Sequence, residues 1–426
     1  MKIVHIITRL ILGGAQENTL ITCKLLAERG HEVTLITGPA LGPEGQLFDQ
    51  TKGQKYRTIV VDEMRRAIEP VKDTISYRKI KRLLSEIQPD IVHTHSAKAG
   101  IVGRFAAWSL KGQWGPRGEP DAQRRSAPRP PSNRGQDARD TQRQDALATT
   151  PILRPAIVHG IHGLSFHRYQ SPWLNRFYIA IERATGRRTD YFISVADSMT
   201  EQNRAAGIGV DKPHVTAYSA IDEEHFLTPI PQRERAAFRR KHDIPGDAVV
   251  LVTIARLFML KGHDYIIESA KELTKRFDNV IWLFVGDGNL MDAYRQQIRD
   301  SGLSDRFRFT GLLPPDQIPL AIQSSEILVH CSLREGLART LPQAMLCARP
   351  AISFDVDGAR EVVNPSTGRL VEPTNVSQLI EACAELIQDK ALRERLGRTA
   401  QESVKTKFAP DTMVDTIEEV YRTLLA

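Results

Sequence analysis

The residues best equipped for chemistry in this chain stand where a short apolar run gives way to a helical pattern. Ser332-Leu-Arg334-Glu335-Gly336-Leu337-Ala-Arg-Thr340-Leu-Pro342-Gln343-Ala344 follows Ile327-Leu-Val-His330, which reads as a buried parallel strand, and it precedes a run with helical spacing. A strand-to-helix turn of this kind offers a carboxylate in Glu335. It also offers a glycine, Gly336, that lets the backbone come close to a ligand, and helix N-terminal amides that attract an anion. Ligands of open α/β sheets bind outside the carboxyl ends of the strands, at such turns. An ordinary loop with a capping glycine accounts for the stretch equally well.

Histidines form a second set. Asp90-Ile-Val-His93-Thr-His95-Ser-Ala-Lys98-Ala-Gly100 is a strand running into a helix. His93 and His95 alternate at the strand end and are expected on opposite faces, one packed in the core and one lining a cleft, which argues against a two-histidine metal site. The strand over 155–161 ends at His162-Gly163-Leu-Ser-Phe166-His167. Here His162 is the candidate, with His159 beside Gly160 the competing one. Two further patterns lead elsewhere. Val285-Gly286-Asp-Gly288 begins like the dinucleotide fingerprint, but position 291 is Met. Asp355-Val-Asp357 has the D-x-D form of a metal-holding pair, yet no metal is expected there.

The elements that must position these residues read as two series of parallel strands and helices. In the first half, Lys2 to Thr8 is a continuous apolar strand. A turn containing Gly13-Gly14 follows, then a helix with Leu20, Cys23, Leu26 and Ala27 on one face and Gly30 as its cap, then a strand from Glu32 to Thr37. Further strands are expected at Thr58 to Val61, Tyr191 to Val195 and His214 to Thr216, and a basic helix at Val71 to Ile87. The second half repeats the plan, with strands at Val249 to Ile254, Val280 to Val285, Arg308 to Thr310, Ile327 to His330 and Ala351 to Phe354. The last helix, Asp411 to Leu425, carries Met413, Ile417, Val420, Tyr421 and Leu424 on one stripe. Between Lys111 and Thr150 the apolar periodicity stops and Pro, Arg, Gln and Asp take over. A disordered surface insertion is expected at about 111–150, because such a segment cannot offset its ordering entropy by burial.

Composition narrows the class. At 426 residues the chain accommodates two α/β domains, and its net charge of +7 suits an anionic nucleotide, an anionic lipid surface or nucleic acid. No Arg/Lys run with interleaved aromatics supports nucleic acid. The four cysteines sit singly inside apolar runs, so they read as reduced core residues of a cytoplasmic protein. The opening residues read as a first strand rather than a signal peptide, and no apolar run approaches a membrane span.

Several of these stretches resemble one family. Glu335-Gly336 followed by Gln343 is similar to the E-x7-E signature of the family 4 retaining glycosyltransferases of bacterial polysaccharide and lipopolysaccharide biosynthesis, which have the GT-B fold. The resemblance implies that Glu335, Gly336 and Leu337 meet the donor sugar. It implies too that Gln343 meets the nucleotide ribose, an amide standing where the family has a second Glu. Ala255-Arg256-Leu-Phe-Met-Leu-Lys261-Gly262 matches the family's Arg-x-x-x-x-Lys-Gly, whose two cations grip the donor diphosphate. Two cations beside a diphosphate stabilise the charge that builds on it as a leaving group. Gly13-Gly14-Ala-Gln-Glu17 resembles the family's glycine loop near the donor phosphates, although a tight turn alone would also need a glycine. The segment containing His162 resembles the family's His-Gly-x-x-Phe, whose histidine lies near the donor sugar. The resemblance covers nearly the whole chain outside 111–150.

The expected fold is therefore α/β, with two Rossmann-like domains facing across a cleft. An N-terminal domain over 1–218 takes the acceptor and a C-terminal domain over 219–407 takes the donor. A helix over 408–426 packs back on the first. The expected activity is transfer of a sugar, with retention of configuration, from a nucleoside diphosphate sugar to a glycan or polyprenyl-linked acceptor, with catalytic Glu335 and His162. No metal or other cofactor is expected, and no nucleic-acid partner. The basic helix at 71–87 is either a solvated face or a peripheral contact with an anionic membrane surface. A nucleotide-sugar epimerase on the same fold and a non-catalytic nucleotide-sugar binding protein are the alternatives.

Overall fold

The computed structural model describes residues 1–11, 13–40, 47–110 and 155–426, so the insertion expected at 111–150 lies outside the described residues. Strands β1 (Lys2–Ile7), β2 (Glu32–Thr37), β3 (Arg57–Val60), β4 (Ile91–His95), β5 (Ala156–Ile161), β6 (Tyr191–Ser194) and β7 (His214–Thr216) form one sheet. Its order is 3-2-1-4-5-6-7 and every pair is parallel. Strands β8 (Val249–Ile254), β9 (Val280–Val285), β10 (Phe307–Gly311), β11 (Ile327–His330), β12 (Ala351–Phe354) and β13 (Gly368–Val371) form the second. Its order is 10-9-8-11-12-13, again all parallel.

Parallel strands need crossover helices, and these cover both sheet faces, so the central strands are buried throughout and read as apolar runs. That is why β8, β9, β11 and β12 carry the bounds their sequence implies. Strand β13 was not expected. It is an edge strand whose middle residues, Arg369 and Leu370, are only half-buried, so it presents no continuous apolar run.

In each sheet the strand order reverses once, between β1 and β4 and between β8 and β11. The chains leaving two neighbouring strands there turn to opposite sides and open a crevice at the carboxyl ends. The turn after β1 carries Gly13 and leads into a helix at Gly14, and β4 ends at His95. The loops after β8 and β11 carry Lys261 and Glu335.

The two halves are joined at several points. Helix Pro410–Leu425 buries Met413, Ile417, Val420 and Tyr421 in the core of the first half. Each such apolar side chain contributes roughly 1.5–3 kcal/mol when fully buried. Arg29, just past helix Gly14–Glu28, donates to Asp411 and Asp415 at 2.7 Å and to Glu418 at 3.0 Å. The first two acids are largely exposed and add little stability, so the apolar stripe holds the helix and the ion pairs orient it.

Candidate functional site

The loops after β8 and β11 are packed directly on each other. Gly262 has φ +74°, and a Cβ on it would lie 1.9 Å from the Cys331 carbonyl oxygen, so only glycine lets the two loops approach. Leu333 N donates to the Leu260 carbonyl at 2.8 Å, and the Ser332 hydroxyl donates to the same oxygen at 3.2 Å. This stitching brings Lys261 Nζ to 2.5 Å from Glu335 Oε1, with His330 Nε2 3.4 Å from the same oxygen. Both partners keep about a fifth of their side-chain surface accessible, 22 % for Lys261 and 20 % for Glu335. Burial by itself would raise the Glu335 carboxyl. The Lys261 ammonium and the His330 ring outweigh it and hold the group well below the usual carboxylate range. Glu335 is therefore an ionised carboxylate at neutral pH. Lys261 precedes Gly262, the N-cap of helix His263–Arg276, whose N-terminal dipole adds to its positive field.

The first half closes over this pair. A Cβ on Gly336 would lie 2.2 Å from the His162 carbonyl oxygen, so the glycine seats the end of β5 against the Glu335 loop. Arg334 donates to the Leu164 carbonyl from the same side. His162, Gly336 and Glu335 thus come together, as the sequence implies. His159 does not join them. It is buried against Thr94, whose hydroxyl lies 2.9 Å from its Nδ1. Gly13 caps helix Gly14–Glu28, and a Cβ on Gly14 would lie 3.0 Å from Arg339 Cδ, so the glycine turn faces the second half. Arg339 pairs with Glu17 and donates to the Ala220 carbonyl at 2.9 Å.

The other expected residues sit differently. Arg256 is exposed, its guanidinium 5.2 Å from the Phe258 ring centre. Gln343 lies in the first turn of helix Thr340–Leu346 and is half-buried. That helix has only seven residues, so it is a weaker dipole than the sequence suggests. Leu337 is buried in the core beside Gly358, so only its backbone can meet a ligand. Asp355 and Asp357 do not converge as a D-x-D pair. Asp355 accepts from Arg360, while Asp357 accepts from Glu335 N at 2.7 Å and from Gln202 at 3.0 Å.

One expectation about the histidines is corrected. His93 and His95 do not point to opposite faces of β4. Side chains alternate with a period of two, so residues i and i+2 share a face. Their rings lie 4.2 Å apart, both buried, with His5 of β1 beside them. Among the described residues, His5, His93 and His95 are the one group of ligand-type side chains close enough together to hold a metal ion.

Sequence reasoning also passed over the clamp made by Glu361. Its carboxylate accepts from Asp197 N at 2.8 Å and Ser198 N at 3.0 Å, capping helix Asp197–Ala205 of the first half from the second. The Tyr218 hydroxyl donates to it at 3.2 Å.

Comparison with known proteins agrees with this architecture. A family model described as Glycosyltransferase Family 4 matches residues 12–116, and one described as Glycosyl transferases group 1 matches residues 234–403. The chain is 24% identical over 429 residues to the UDP-Gal:alpha-D-GlcNAc-diphosphoundecaprenol alpha-1,3-galactosyltransferase of Escherichia coli, covering 99% of this chain and 96% of that one. It is 28% identical over 243 residues to the alpha-D-kanosaminyltransferase of Streptomyces kanamyceticus, covering 57% of this chain and 62% of the relative's length. The crystal structure of Anabaena HepE in complex with UDP-glucose superposes with a TM-score of 0.75 at 18% identity, over 99% of this chain and 100% of that one. With a family model on each half, an end-to-end relative and two parallel sheets meeting at a cleft, the chain belongs to the family 4 glycosyltransferases and has their GT-B fold.

Proposed function

We propose that this protein transfers a sugar, with retention of anomeric configuration, from a nucleoside diphosphate sugar to a glycan or lipid-linked glycan. The observation that carries the reading is the Lys261–Glu335 pair, held at the β8/β11 crevice under Gly336 and His162. The pair supplies a cation for a diphosphate and a carboxylate for sugar hydroxyls within one hydrogen-bond length of each other. Donor binding places the diphosphate against Lys261 and Arg256, on the backbone of Gly13 and Gly14, and the sugar against Glu335 and Gly336. Gln343 is then a ribose contact. Lys261 gains most as negative charge builds on the departing phosphate, so it serves the transition state more than the ground state. The departing diphosphate guides the acceptor hydroxyl to the same face of the sugar, without a nucleophile from the protein.

HepE with its UDP-glucose and the E. coli relative with its UDP-Gal make UDP-sugars the first donors to try, and the relative's diphosphoundecaprenol acceptor makes a lipid-linked glycan the first acceptor class. A cytoplasmic protein resting on the inner membrane surface suits such an acceptor. Ile68 and Val71 are exposed at the start of the basic helix Pro70–Ile87, and no helix among the described residues is long and apolar enough to cross a membrane. The test is a panel of nucleotide sugars read by thermal shift, followed by NMR of the product's anomeric centre. A donor at a hundred times its Kd raises stability by about 2.7 kcal/mol. An inverted product, or a donor consumed without any acceptor to give an epimer, would refute the reading. Activity is expected to survive a chelator, because cationic side chains stand where a metal would neutralise the diphosphate. Loss in chelator with recovery in magnesium or manganese would refute that part.

A further inference from the structure

Beneath the cleft, the histidines of β1, β4 and the end of β5 are joined in series. His5 Nδ1 lies 2.9 Å from His95 Nε2, and His95 Nδ1 lies 2.9 Å from His162 Nε2. We propose that these three rings form one buried hydrogen-bonded imidazole chain that sets which ring nitrogen of His162 carries its proton, making His5 and His95 positioning residues for sugar transfer. The role in transfer rests on the placement of His162 at the donor site proposed above; the chain itself does not.

Burial pushes the His5 ring down to about 3 and the His162 ring to about 4, and it pushes His95 well down with neighbouring histidines adding to the effect. All three are therefore neutral at physiological pH, and each has one N–H and one lone pair. Two bonds linking three such rings admit only two proton orders. If His5 donates to His95, then His95 donates to His162, and all three rings are Nδ1–H. If His162 donates to His95, then His95 donates to His5, and all three are Nε2–H. Mixed orders would set two N–H groups, or two lone pairs, against each other. The chain ends at His162 Nδ1 and His5 Nε2, and both are buried without a hydrogen-bond partner among the described residues. One end carries the third proton and the other a lone pair. Exchanging the two orders would need a proton released at one end and another taken up at the other, and the buried His5 Nε2, unpartnered among the described residues, offers no path for it, so the chain keeps one order. Nδ1 of His162 thus meets a substrate hydroxyl in one fixed role, donor or acceptor, according to the order the chain holds, a choice that an isolated neutral imidazole leaves open.

The surrounding residues hold this geometry. A Cβ on Gly160 would lie 2.9 Å from His95 Nδ1 and 3.1 Å from both His162 Nε2 and His93 Nε2, so only glycine leaves room for the second bond. His93 packs on His95 and is anchored by the Tyr421 hydroxyl, 2.6 Å from its Nδ1. The contact distances favour protons over a metal. Two nitrogens ligating one tetrahedral zinc at its usual bond length stand about 3.3 Å apart, wider than either 2.9 Å link.

The experiment is 15N NMR of the full chain labelled at the histidine ring nitrogens, with rings assigned by single substitutions. In the wild type at pH 7, His5, His95 and His162 are expected to be neutral and to share one tautomer. His5→Phe, two links from His162, should move His162 toward a mixture of tautomers, whereas His5→Gln, which can still bond His95, should largely preserve the wild-type signal. Gly160→Ala removes no imidazole and should uncouple His162 in the same way. With UDP-glucose as the probe donor, kcat should fall about tenfold in His5→Phe, with partial recovery in His5→Gln and little change in KM. Mixed tautomers in the wild type, a His162 signal indifferent to His5→Phe and Gly160→Ala, or one equivalent of Zn2+ taken up by the three rings would overturn the chain. Coupled rings with wild-type turnover in His5→Phe would overturn the positioning role. If the chain fails while Lys261→Ala still disables transfer, the donor-site reading stands without it.

Discussion

Replacing Lys261 by alanine tests the donor site most directly, because Lys261 does two separable things. In the folded protein it compensates a carboxylate that is about four-fifths covered. Removing one partner of a fully buried ion pair costs about 3–5 kcal/mol. Both groups here retain some access to water, so the expected loss of stability at pH 7 is about 1–3 kcal/mol. The sign of its pH dependence follows from Glu335. In the wild type the carboxyl is held below its unfolded value, so the pair contributes above the usual carboxylate range, and the contribution is lost as pH falls through the folded value. Without Lys261, burial dominates, the folded carboxyl titrates higher, and protonation relieves the strain. The penalty of Lys261→Ala should therefore be largest near neutrality and shrink as the pH approaches 4. The second role is in catalysis. Loss of a charged contact to the leaving diphosphate should lower kcat by about thirty- to a thousandfold, equivalent to about 2–4 kcal/mol, and weaken UDP binding by less. The double change Lys261→Met with Glu335→Gln should recover most of the stability and none of the turnover. The assays are urea denaturation from pH 4 to 8, steady-state kinetics with the donor varied, and calorimetry with UDP. Normal UDP affinity and normal turnover in Lys261→Ala would show that the diphosphate does not sit here, whatever happens to stability.

Other changes separate the remaining parts of the site. Glu335→Ala should depress turnover by a comparable factor of about thirty to a thousand while leaving UDP affinity within about twofold, since a free nucleotide carries no sugar for Glu335 to meet; equal losses in calorimetry and kinetics would make the residue structural. Glu361→Ala removes the cap that the second half places on helix Asp197–Ala205 and should cost about 1–2 kcal/mol, while small-angle scattering shows a more open average shape. An unchanged scattering profile would mean that the clamp does not hold the halves together. Tyr421→Phe leaves buried His93 Nδ1 without its partner and should cost about 1–3 kcal/mol in urea denaturation; a neutral result would show that the hydrogen bond is replaced locally.

Much of this protein was determined within short stretches of its sequence. Continuous apolar runs identify Val249–Ile254, Ile327–His330 and Ala351–Phe354 as parallel strands, because a strand covered on both faces has no polar side to display. The residues just beyond them, Lys261-Gly262 and Glu335-Gly336, then fall at strand carboxyl ends by position alone. The apolar stripe of the last helix was equally plain, since helical spacing is local. What only the tertiary structure decided depends on residues far apart in the chain. No local pattern places Tyr421 against His93, aligns His5 with His95, or brings Glu361 onto the N-terminus of the helix at Asp197. Each of these contacts exists because register and strand order carry two distant segments to the same place, and a single sequence records neither. The histidines show the difference most directly. Their period along β4 was present in the sequence and puts His93 and His95 on one face. That this face also receives His5 from β1 and His162 from the end of β5 follows from β1 pairing with β4 and β4 with β5, a choice made when the sheet assembles.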